Sequence, residues 1–223
     1  MDDKVRTAFY GAGLSLIVGY LLSFSSRIII HSMETFFATK TAMTFETYVN
    51  FYRFTPMSFR VAAIICTCIF LAIVFYKEAK YIPFIFSLIS IILVTGPFTR
   101  EIIYYGAHPY VGSNTFLSVT ILNFLFGVSF LVLLIFSAKL LNNYTEIYRV
   151  RRIRMSFFIL FGLSLFWYFL DDLPAYIGNE ILSNDVYNLF FNILYPLELV
   201  CAVAAGILFI VSAQQKLKQI QEG

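Results

Sequence analysis

The sequence predicts an all-α integral membrane protein: a bundle of about six transmembrane helices, both termini cytoplasmic, with short interfacial helices on the outer side. Three observations lead there. Hydrophobic residues make up 60% of the chain and charged ones only 13%, where a soluble domain carries about 25% charged residues. The apolar runs exceed the ~18 residues that mark a spanning helix, whereas barrel strands would alternate over about ten. Finally, the stretch Asn142–Arg154, NNYTEIYRVRRIR, sets Arg149, Arg151, Arg152 and Arg154 between two long apolar runs, and short basic loops stay on the cytoplasmic side. The mean hydropathy is +0.80.

The spans fall at roughly 8–30, 58–76, 81–99, 115–139, 155–171 and 186–212 within one transmembrane domain, 1–223. The N-terminal stretch imitates a signal peptide, with Ser23 and Ser25 as small residues near a cleavage site. The acidic pair Asp2–Asp3 and the length of the apolar run favour a retained span instead. With the Arg cluster inside, all but Arg27, Lys40, Arg53, Arg60 and Arg100 of the 16 Lys and Arg fall inside. That asymmetry sets the orientation. The expected location is the plasma (inner) membrane, as a multi-pass protein. The very short turn at Lys77–Lys80 makes the second and third spans a tight antiparallel pair. The net charge of +3 reflects loops facing the anionic cytoplasmic leaflet, not a nucleic-acid surface.

Three segments lie outside on this reading. In the first, AMTFETYVNFYRF spaces Phe45, Tyr48, Val49 and Tyr52 for a short helix lying in the headgroup region. Pro56 is expected to end it, with the second span starting near Ser58. The second segment, Arg100 to Asn114, contains Gly106 and Pro109 and is expected to be broken. The third, Asp171 to Asp185, has Pro174 near its start and suits a short helix, with Asp172 as its cap.

Unusual polar groups collect on this outer side. Arg27 and His31 share a helix face, four residues apart. Arg100 and Glu101 close the third span, and Asp171 and Asp172 close the fifth. The structural reading is anchoring at the headgroup level, where Arg, Trp and Tyr belong. The functional reading is an outer vestibule in which Arg27 or Arg100 pairs with Glu101, Asp171 or Asp172. His31 and His108, the only 2 histidines, make a two-ligand set for haem b or a metal, against the plainer reading of hydrogen-bonded interfacial side chains. No third ligand stands at a recognisable spacing. Cys66 and Cys68 point to nearly opposite sides of one helix, and all 3 cysteines read as packing residues.

The stretch GPFTREIIYYGAHPYVGSN resembles the Gly…Glu…Arg-Gln-Pro-Trp region of cytochrome bd-type quinol oxidases. Gly96 and Glu101 keep that spacing. Three extra residues precede Pro109, and the Arg-Gln pair is missing, so no haem or quinol residue is carried over. The resemblance implies only a setting among electron-transfer membrane complexes.

Glu198 is the sharpest single residue. It lies ~20 Å into the last span at 1.5 Å per residue, where a carboxylate is costly and usually functional. Pro196, two residues earlier, removes a backbone donor and frees the carbonyl near Asn192. A carboxyl beside a kink suits a proton or ion site; the plainer alternative is a protonated Glu acting as glue between helices. Glu198 is expected to face the interior, neutral, with a hydroxyl, amide or carbonyl partner near Ser87, Ser90 or Ser164. No Lys or Arg is expected at its depth.

No Walker loop, GxSxG, HExxH, GxGxxG or EF-hand pattern occurs, so the chain reads as no enzyme. The leading expectation is a non-catalytic accessory or scaffold subunit of a larger membrane complex, in a respiratory or electron-transfer setting, with the bilayer and other membrane subunits as partners. One alternative is a small transporter or channel using Glu198. Another is a sensor module that binds an apolar ligand in the outer vestibule.

Overall fold

The structure is a computed structural model that describes residues 2–40, 45–107, 113–143, 148–165 and 184–221. Among these residues every regular element is a helix. The six, in order, are α1 (Asp3–Lys40), α2 (Phe45–Lys77), α3 (Tyr81–Ala107), α4 (Ser113–Asn142), α5 (Tyr148–Ser164) and α6 (Asn184–Gln221). Each overlaps one of the six expected spans. Four contain stretches long and apolar enough to cross a membrane: Asp3–Ile30, Thr55–Lys77, Ile121–Asn142 and Pro196–Gln214. Tyr81–Gly96 is a shorter apolar stretch.

Local chemistry explains the helix ends. Asp2 caps α1: its carboxylate accepts from the Lys4 N–H at 3.3 Å, and its carbonyl accepts from the Arg6 N–H at 3.0 Å. Asp3 then pairs with Arg6 at 3.0 Å, an acid at the positive end of the helix dipole. At the far end of α2, Ala79 holds φ 52°, the left-handed conformation that closes a helix and reverses the chain. The Lys80 N–H reaches back to the Phe75 carbonyl at 2.8 Å, so the turn into α3 satisfies its own backbone.

One expectation is corrected. The sequence suggests a separate interfacial helix ended by Pro56. Instead α2 runs unbroken from Phe45 to Lys77 with Pro56 inside it. Proline costs a helix one hydrogen bond and forces a steric adjustment, but it does not oblige the helix to end.

Successive helices pack side by side, and α6 packs on both α5 and α1, so the helices close into a ring. The register is antiparallel. Between α1 and α6, contacts run from Phe9–Phe209 through Gly13–Gly206 to Tyr20–Glu198. Gly13 and Gly206 let the two backbones touch: a Cβ on Gly13 would stand 2.5 Å from the Gly206 carbonyl oxygen. Small residues at such crossings are how helices approach where lipid supplies no hydrophobic drive.

The middle of the ring is filled. Phe161 of α5 stands edge-on to both Phe130 of α4 and Tyr20 of α1, with centroids 5.8 Å apart in each case. Phe158 packs on Phe209 at 4.5 Å. Leu16, Leu133 and Leu134 are buried beside them. Several buried hydroxyls bond within the protein, as an apolar surrounding favours. Thr67 donates to the Ala63 carbonyl at 2.8 Å, and the Ser90 and Ser129 hydroxyls join α3 to α4 at 2.8 Å.

Candidate functional site: a buried carboxylate, guanidinium and phenol

Glu198 lies on α6 with its side chain 1% exposed, turned into the bundle. Two residues upstream, Pro196 faces outward. Its missing N–H leaves the Asn192 carbonyl without that helical donor one turn earlier. The carboxylate meets two helices at once. From α1, the Tyr20 hydroxyl donates to Oε1 at 2.9 Å. From α2, Arg60 donates through Nη1 to Oε2 at 3.3 Å.

The three helices bring these groups to one level for a simple reason. At about 1.5 Å per residue, Tyr20 stands roughly 25 Å from Asp3 along α1, Arg60 roughly 25 Å from Lys77 along α2, and Glu198 roughly 25 Å from Gln214 along α6. Those starting points share one end of an antiparallel bundle. The site is therefore within the apolar span and nearer its other end.

Arg60 overturns one sequence expectation. It falls at the outer start of the expected second span, 58–76, and is buried within the apolar stretch Thr55–Lys77. There it supplies, at the depth of Glu198, a cation that the sequence does not lead one to expect. The carboxyl expected to meet only a hydroxyl, amide or carbonyl therefore faces a guanidinium as well. The proposed serine partners are engaged elsewhere: Ser87 donates to the Pro83 carbonyl at 2.9 Å, and Ser164 donates to the Phe161 carbonyl at 2.7 Å. Ser90 bonds Ser129.

Tyr20 has no sequence signal of its own among 15 tyrosines. Its ring leans edge-on against Phe161 while its hydroxyl holds Glu198. One side chain thus joins the ion pair to the aromatic centre of the ring.

A second buried cation stands toward the opposite end. Arg154 of α5 is fully buried and donates to the Asn142 side-chain carbonyl of α4 at 3.1 Å. Arg149 and Arg152 of the same cluster are exposed. The cluster is therefore split by the helix into solvated residues and one that ties α5 to α4.

The outer vestibule falls largely outside what the structure describes. The side chains of His31, Arg100 and Glu101, and all of His108, Asp171 and Asp172, lie outside the described residues; Arg27 is half-buried on α1. Among the described residues no group of three His, Cys, Asp or Glu is placed to hold a metal ion. The cysteines stand apart, Cys66 exposed and Cys68 and Cys201 buried. Comparison with family models, curated proteins and solved structures finds no match.

Chemically, among the described residues the arrangement brings together a carboxylate, a guanidinium and a phenol hydroxyl, all buried. Protonating the carboxylate would weaken its hold on the guanidinium, which stays charged.

Proposed function

We propose that the protein is a multi-pass carrier of the plasma (inner) membrane, with both ends cytoplasmic, in which the Arg60–Glu198 pair opens and closes as protons cross. The observation that carries this reading is the convergence of Tyr20, Arg60 and Glu198 from three helices at one depth. Ionisable side chains inside an apolar bundle are expensive and mark ion pathways and proton relays. The aromatic packing around Phe161 favours a carrier over an open channel, since passage past it requires the helices to shift. The orientation rests on the excess of Lys and Arg at the end that holds Lys77, Lys139 and the Arg149–Arg154 cluster.

The test is proton flux. Purified protein is reconstituted into liposomes that enclose a pH-sensitive dye, and a potassium diffusion potential is imposed. Wild-type vesicles are expected to acidify faster than empty ones, and Glu198→Gln vesicles to match the empty ones. Wild-type vesicles as tight as empty ones under both acid and alkaline buffers would remove the carrier reading.

The accessory-subunit reading keeps one observation in its favour. The outward faces of α1 and α3 are densely apolar, with Leu14, Ile28, Ile29, Ile82 and Ile92 all exposed. Such faces suit a protein partner as well as lipid. Native mass in mild detergent separates the two: a monomer with no companion counts against a subunit. A Soret band in the absorbance spectrum would decide whether His31 and His108 hold a haem.

A further inference from the structure

A groove of about 670 Å³ opens where the α2–α3 turn meets the end of α4. Its walls are apolar: Phe75 from α2, Ile82 and Pro83 from α3, Phe136 and Leu140 from α4. Its rim is polar and donor-rich. Lys80 and Lys139, both exposed, face it from opposite sides, joined by Asn142 and Asn143. Among the described residues no carboxylate lines it, although Glu78 stands in the same turn.

The rim is built rather than incidental. The left-handed Ala79 turns the chain so that Lys80 follows at once at the head of α3. The Lys80 N–H is fixed to the Phe75 carbonyl. Across the groove, the Lys139 ammonium stands 5.9 Å from the centroid of the Phe136 ring, held toward the apolar wall. The Asn142 carbonyl oxygen accepts from buried Arg154. That bond fixes the amide orientation and places the NH₂ group, a double donor, on its other side. Buried positive charge behind the rim adds to the field of the two lysines.

We propose that this groove binds an anionic membrane phospholipid, its phosphate between Lys80 and Lys139 and an acyl chain along Phe136 and Leu140. An apolar trough whose described rim carries cations and amide donors is complementary to one class of molecule: an amphiphile with an anionic head. Basic pockets between helices at a membrane surface take such headgroups. The inference stands independently of the carrier reading, since it uses neither Glu198 nor Arg60.

The experiment is native mass spectrometry of the full chain released from nanodiscs of equimolar phosphatidylglycerol and phosphatidylcholine. Wild type is expected to retain phosphatidylglycerol over phosphatidylcholine by about tenfold, and Lys80→Gln/Lys139→Gln to fall within about twofold of parity. The control Lys4→Gln/Lys77→Gln removes the same charge from the same end of the bundle without touching the groove, and should keep the preference. Thermal unfolding in detergent with added lipid provides a second readout: phosphatidylglycerol should raise the midpoint of wild type but not of the groove variant. Parity in wild type, or equal losses in groove and control variants, overturns the proposal. An equal rise with inorganic phosphate alone also overturns it, by assigning the rim to a free anion.

Discussion

Arg60 Nη1 lies 3.3 Å from Glu198 Oε2, with the two side chains 8% and 1% exposed. Two charges held this close away from solvent depend on each other. Removing one partner of a buried pair typically costs about 3–5 kcal/mol, while replacing both with apolar groups of similar volume is often neutral or stabilising. Arg60→Met and Glu198→Leu alone should therefore each lower stability strongly, and the double variant should regain most of the loss. Detergent unfolding curves decide it. Simple addition of the two losses in the double variant would mean that the groups do not form one unit.

Tyr20 holds the carboxylate through its hydroxyl and the aromatic core through its ring. Tyr20→Phe keeps the ring and removes the hydrogen bond. Interhelical hydrogen bonds in membranes are worth about 0.6 kcal/mol on average and up to ~1.7. A loss in that range is expected, with assembly intact, because the contact with Phe161 survives. Tyr20→Ala should cost several times more by leaving a void at the ring. Equal stabilities for the Phe and Ala variants would show that the ring contact contributes nothing.

The α1–α6 crossing depends on two glycines. A Cβ on Gly206 would stand 2.7 Å from the Gly13 carbonyl oxygen, while one on Gly96 meets nothing within 4 Å. Gly13→Ala and Gly206→Ala should each cost about 1–3 kcal/mol by forcing backbones apart. Gly96→Ala should be neutral or gain up to about 1 kcal/mol from lower unfolded-state freedom. The unfolding midpoints of the three variants, ranked, test the close approach. Gly13→Ala as stable as Gly96→Ala would contradict it.

Orientation has its own test. Cysteines placed at Lys40 and Asn179, in a background lacking Cys66, Cys68 and Cys201, should label from outside intact cells. One at Asn143 should label only after the membrane is breached. Labelling of Asn143 from outside would invert the topology and, with it, the leaflet that faces the Lys80–Lys139 groove.

Much of this was legible in the residues, for physical reasons that also explain what was not. The helices announce themselves because apolar runs of spanning length have few other uses. Glu198 stands out because a lone carboxyl among Leu197, Leu199 and Val200 has no solvent to turn to. Its partner is harder to read, because an arginine two residues inside a span expected to start near Ser58 reads as one that snorkels to the headgroups. The helix runs through Pro56 back to Phe45, so Arg60 lies well inside it. Tyr20 was hidden by abundance, since a tyrosine in an aromatic-rich span reads as packing. Which side chains meet across the ring depends on helix rotation, and apolarity on every face of a helix carries little information about rotation.

Cys201 is placed to report whether the Arg60–Glu198 pair opens. Cys201 is buried one turn beyond Glu198 on α6, on the same helix face. In a Cys66→Ser/Cys68→Ser background, its labelling by a small thiol reagent should be slow in liposomes at rest and accelerate when a proton gradient is imposed. Glu198→Gln should label at one rate under both conditions. A wild-type rate that is the same with and without the gradient would mean that the pair stays shut and that no carrier motion passes through it.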